Sequence, residues 1–455
     1  MELTSRMPPE LWLQVFGLLD TQDLKALSSI CSSMSKWLAP QLFSCLRLSN
    51  QSLDLDLMAR FLKRHGHVVT KISYESFLLP NKGDEEDGVP CISPVLQDLL
   101  KGNGLPNLKT VNLSFRPEDD FNGNGDWMDF QKLHYGENSI YIHQLSESAE
   151  EVHTAESTYQ WRADIRRIFD AVSQNTTLEH LEIQNLLPRQ CSTWETKNWG
   201  IFLGKLSSLK LGIWGGENGA GWHSNTLDGY HDFVKDLGPG FFKHLTKLRR
   251  LHLISDTDNA LGCEGMNHSP LPISTEDLLC IEDMELENWF IDPALQNFIS
   301  ARRDSIRRIV LTNCKSAHSI YYTIADNPIT WATFFRTVRK LQPSVLIQFL
   351  VANTVIELDW RETIDEEDQK QHGYGSYDRA AVETIRKQLH ENKNLRLFAY
   401  ASLSDSYGDM AQSDDDVRQS FNDGQDQKEY DALMQVVAKN GERSNADSIS
   451  SGTKE

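Results

Sequence analysis

The sequence predicts an α+β / α/β protein in three parts: a three-helix module over residues 1–48, an irregular solenoid-like α/β region over 49–404, and a disordered acidic tail over 405–455. Three observations carry that division. Apolar residues recur at helical spacing from Leu11 onward, interrupted by capping residues. Beyond residue 50, short apolar strings with fixed offsets follow amphipathic stretches. The last fifty residues include Asp414-Asp415-Asp416 and few large apolar groups, too few to offset the entropy of ordering. A chain of 455 residues exceeds one typical domain, so more than one core is expected.

In the first part, Pro8-Pro9 sets an extended approach and supplies a helix-start proline, with Glu10 in the first turn facing the positive end of the helix dipole. Leu11, Val15, Leu18 and Leu19 then recur at helical spacing. Asp20 and Thr21 break the run and offer an N-cap to a second helix carrying Leu24, Leu27, Ile30, Cys31 and Met34 on one side. Pro40 is a boundary, or the first turn of a third helix holding Leu42, Phe43 and Leu46. Helix one has a second apolar set, Trp12, Phe16 and Leu19, offset from Leu11/Val15/Leu18. A module this small can bury one set internally; the other must be covered by the downstream region or by a partner.

The string Met7-Pro8-Pro9-Glu10-Leu11, followed by Val15, Leu18-Leu19-Asp20, Asp23-Leu24 and Ile30-Cys31, resembles the F-box pattern in residue type, order and spacing. Departures are apolar swaps: Met7 for the usual leucine, Met34 where many F-boxes have tryptophan, Trp37 at a position often held by leucine. The resemblance implies docking onto a Skp-type adaptor and through it onto a cullin scaffold. Its motif positions nominate Met7, Pro8, Leu11, Val15, Leu19, Leu24, Leu27, Ile30 and Cys31 as adaptor contacts, and which of these are core instead stays open. It also implies that Cys31 packs rather than carrying a ubiquitin thioester.

In the second part the strings are Leu108/Val111/Leu113, Leu178/Leu181/Ile183, Leu206/Leu209/Leu211, Leu248/Leu251/Leu253, Ile281/Met284/Leu286 and Ile306/Ile309/Leu311, with Leu395–Phe398 near the end. Helices are expected around 91–100, around 380–389, and along the stripe Trp161, Ile165, Ile168, Val172. Each string places two side chains on one face of a strand and a leading apolar residue in the layer beneath. The arrangement resembles a leucine-rich repeat, with Cys314 where such repeats place asparagine or cysteine. Matching positions from Val111 to Ile309 lie 70, 28, 42, 33 and 25 residues apart, so any repeat is irregular and heavily inserted. Two insertions carry aromatics: an acidic one with Trp127, Phe130, Tyr135 and Tyr141, and a glycine-rich one with Trp214, Trp222 and Tyr230. Arg302-Arg303 and Arg307-Arg308 suit helix-end capping and ion pairing at least as well as phosphate recognition.

The net charge of −20 argues against nucleic acid as a partner. No stretch approaches the roughly 20 apolar residues of a membrane span. Seven scattered cysteines without a CxxC suit reduced thiols in the cytoplasm or nucleus. No GxSxG, P-loop or HExxH occurs; the run Gly215–Gly221 lacks the lysine of a phosphate cradle, and His65 and His67, which could share one face of a strand, have no further ligand at metal spacing. Catalytic residues, cofactors and metals are therefore not expected. The expected role is the substrate-recognition subunit of a Skp–cullin–F-box ubiquitin ligase, holding an unknown protein substrate. The alternatives are an F-box interaction protein that binds the adaptor without promoting turnover, and an enzyme of unrecognised type in 50–404, which would need a pocket of convergent titratable groups.

Overall fold

The computed structural model describes residues 9–50, 55–78, 92–117, 146–216, 221–257, 260–262, 269–317, 329–352, 356, 358, 379–404 and 406–451. The chain forms two compact units: Met1–Glu118, Glu151–Gln184 and Cys191–Leu206 in one, Asp119–Glu150, Asn185–Gln190 and Ser207–Glu455 in the other.

The first unit runs α1 (Pro9–Phe16), α2 (Thr21–Ile30), α3 (Ser32–Phe43), β1 (Cys45–Ser49), α4 (Leu55–His65), β2 (Lys71–Leu78), α5 (Pro94–Leu100), β3 (Thr110–Pro117), α6 (Ala149–Thr158), α7 (Gln160–Ser173), β4 (His180–Leu186) and α8 (Lys197–Leu203). Its strands pair in parallel in the order β1-β2-β3-β4. The register aligns Leu46, Ile72, Val111 and Leu181 in one row and Leu48, Tyr74, Leu113 and Ile183 in a second. All eight are buried. The stripe predicted for α7 is also buried, and Phe169 beside it meets Trp194 and Trp199 edge-on at 5.6 and 5.4 Å. Helix starts follow local chemistry: Ser93 caps α5 by accepting from Leu96 N, and Pro94 occupies its first turn.

The second unit contains β5 (Ser208–Ile213), α9 (Asp228–Gly240), β6 (Arg250–Ile254), β7 (Asp283–Glu287), β8 (Phe290–Ile291), α10 (Pro293–Ala301), β9 (Arg308–Thr312), β10 (Lys315–Ala317), α11 (Trp331–Lys340), β11 (Gln348–Ala352), α12 (Arg379–Glu391), β12 (Tyr400–Leu403), β13 (Met410–Gln412), α13 (Asp414–Asp423) and α14 (Gln425–Ser451). Five parallel strands repeat the same construction. Leu209, Leu251, Met284, Ile309 and Phe349 form one buried row, and Leu211, Leu253, Leu286, Leu311 and Val351 the other. A smaller sheet runs β13-β12-β10-β8. The chain enters it twice through an asparagine with positive φ, Asn288 between β7 and β8 and Asn313 between β9 and β10; asparagine tolerates this conformation better than most residues. The buried Cys314 thiol, its pKa pushed up to about 12 by burial, donates to Leu286 O. The α/β solenoid-like class is thus present as expected, with helices alternating with parallel strands.

Four expectations need correction. Leu46 belongs to β1 rather than to a third helix, because α3 ends at Phe43. His65 closes α4 and His67 lies in a short 3-10 turn, so neither is on a strand. The strand expected at Leu395–Phe398 begins only at Tyr400 and joins the smaller sheet. Residues 414–451, expected to be disordered, form α13 and α14. Their many carboxylates concealed an i, i+3, i+7 stripe, Tyr430, Leu433 and Val437, all buried. Tyr430 meets Phe335 and Phe398 with ring centroids 5.3 and 5.6 Å apart, and Asn440 donates to the carbonyls of Pro343 and Leu346. The acids themselves are used: Asp426 accepts from Ala332 N at 2.6 Å and Tyr400 OH at 2.7 Å, while Glu429 pairs with Arg336 and Arg339 at 2.9 and 2.8 Å.

Replacing Asp426 with alanine strands two buried donors and should cost about 2–4 kcal/mol of unfolding free energy in a urea titration. Arg339 and Arg336 hold the Glu429 carboxyl below its ordinary value of 4.5. Because the folded value is depressed, the stabilisation exists above that pH and is lost as pH falls through the folded value. The difference in urea midpoint between wild type and Glu429→Gln should therefore be full at pH 7 and close in acid.

Candidate functional site

The N-terminal helices resolve the ambiguity of helix one. Asp20 accepts from Asp23 N at 2.8 Å, capping α2, and an extended Cys31 separates α2 from α3. Those two breaks fold the three helices around Phe16, Met34 and Leu38, all buried. Trp12, Leu19, Leu24, Leu27, Trp37 and Leu42 pack against this cluster, and Trp12 stacks on Phe16 at 5.6 Å. The inward set of α1 is therefore Trp12/Phe16/Leu19.

The other set stays open. Leu11 is 47% exposed, Val15 39% and Leu18 86%, and Ile30 at the end of α2 is 69% exposed. Covering a large aliphatic side chain is worth roughly 1.5–3 kcal/mol when burial is complete, so four such side chains left exposed are costly unless something docks on them. Among the nominated contacts, Leu11, Val15 and Ile30 are on this open surface, whereas Leu19, Leu24 and Leu27 are half-buried on the core. Cys31, nominated with them and read as a packing residue, is exposed as well. Met7 and Pro8 lie outside the described residues. Leu18, the most exposed of the group, stands in the sequence with Leu11 and Val15 and in the string Leu18-Leu19-Asp20, but was not among the nominated contacts.

Other sequence candidates resolve into structural roles. Trp214 and Tyr230 are core residues; Trp222 is at the surface with its ring against Tyr407 at 4.9 Å. Trp127, Phe130, Tyr135 and Tyr141 lie outside the described residues. Arg302 donates to the carbonyls of Thr275 and Asp277, Arg303 pairs with Asp304, and Arg308 pairs with Asp283 at 2.6 Å. The buried Cys191 thiol is pushed up to about 12 by burial, which removes it as a nucleophile near neutral pH. His252 lies 3.4 Å from Glu287 and 3.8 Å from Glu285, and burial lowers its pKa despite both carboxylates. Among the described residues, no group of three or more His, Cys, Asp and Glu could hold a metal ion, and no helix is long and apolar enough to cross a membrane.

The two faces of α1 should separate by mutation. Phe16→Ala should cost about 3–5 kcal/mol and melt the three helices, read by circular dichroism of residues 1–50 within the full chain through difference spectra. Leu18→Asp should leave the spectrum and melting temperature unchanged, since the side chain touches little.

A family model for the F-box domain matches residues 4–44. No curated protein matches the chain. The matched segment spans all three helices and both of their breaks; the module folded around Phe16 is an F-box domain.

Proposed function

We propose that the chain is a substrate-recognition subunit of a Skp–cullin–F-box ubiquitin ligase, working in the cytoplasm or nucleus and carrying no catalytic chemistry of its own. The observation that carries this reading is the open apolar group Leu11, Val15, Leu18 and Ile30 on a segment matched by the F-box model. A Skp-type adaptor would cover that surface and link the chain to a cullin. The aligned apolar rows of each unit support reading the remainder as an irregular leucine-rich-repeat-like scaffold that holds a protein substrate. Such a receptor accelerates transfer by proximity, raising the concentration of a target lysine near a ubiquitin-charged enzyme.

The test is co-purification with a Skp-type adaptor. Wild type should retain it, and Leu18→Asp/Ile30→Asp should retain at least tenfold less, because two carboxylates would be forced into an apolar contact. Equal retention by both chains, or none by wild type, contradicts the reading. Adaptor binding without stabilisation of any protein in cells lacking the chain would favour an F-box interaction protein outside turnover.

A further inference from the structure

We draw no further inference here: the strongest candidate, the exposed aromatic pair Trp222 and Tyr407 where the turn between β12 and β13 meets the loop before α9, is an apolar surface patch with nothing in the structure to show what covers it.

Discussion

Register is the constraint on which both units depend. Each parallel strand contributes two inward side chains, and the pairing sets them opposite their counterparts on the next strand: Ile72 beside Val111 beside Leu181, Leu251 beside Met284 beside Ile309. A slip of one residue would turn Asn112 or Glu285 inward and every core side chain outward. No strand can bury its apolar face alone, so strand order and register are enforced together.

The same register organises the polar face. Lys71 reaches Glu182 at 3.3 Å two strands away, and Arg308 meets Asp283 at 2.6 Å on the adjacent strand. These half-exposed pairs contribute little individually, of order 0–1 kcal/mol, but they occupy charged groups that sequence inspection alone leaves open to a recognition role. The arginines at 302–308 illustrate this: three of the four cap carbonyls or pair with carboxylates in their own neighbourhood. What remains unsatisfied is correspondingly informative. Exposed aliphatic side chains on the F-box stand out against the buried cluster that folds it.

Much of this was legible in the sequence. Every one of the six strings from Leu108 to Leu311 marks a strand whose inward residues are buried, because a leading apolar residue plus two alternating ones is a pattern that few loops satisfy. Strands β1, β2 and β11 were missed for local reasons. Leu46 and Leu48 directly follow a helix and continue its apolar spacing; in β2 a tyrosine replaces the second aliphatic; Leu346, Phe349 and Val351 substitute an aromatic at the central position. The C-terminal helices were missed because composition averages over faces: many acids surround a narrow stripe at 430, 433 and 437, and several of those acids are acceptors that hold the helix in place. At the F-box, periodicity displayed two faces on α1 but could not choose between them. The choice depends on Met34 and Leu38, which only folding brings to Phe16.

The F-box thus divides into a buried half that makes it fold and an open half that gives it something to do. That division is tested most directly by amide hydrogen exchange of the chain alone and in the presence of a purified Skp-type adaptor. Slower exchange confined to peptides covering Pro9–Leu18 and Ile30–Cys31 is the predicted result. Unchanged exchange over those residues with the adaptor bound would contradict the account.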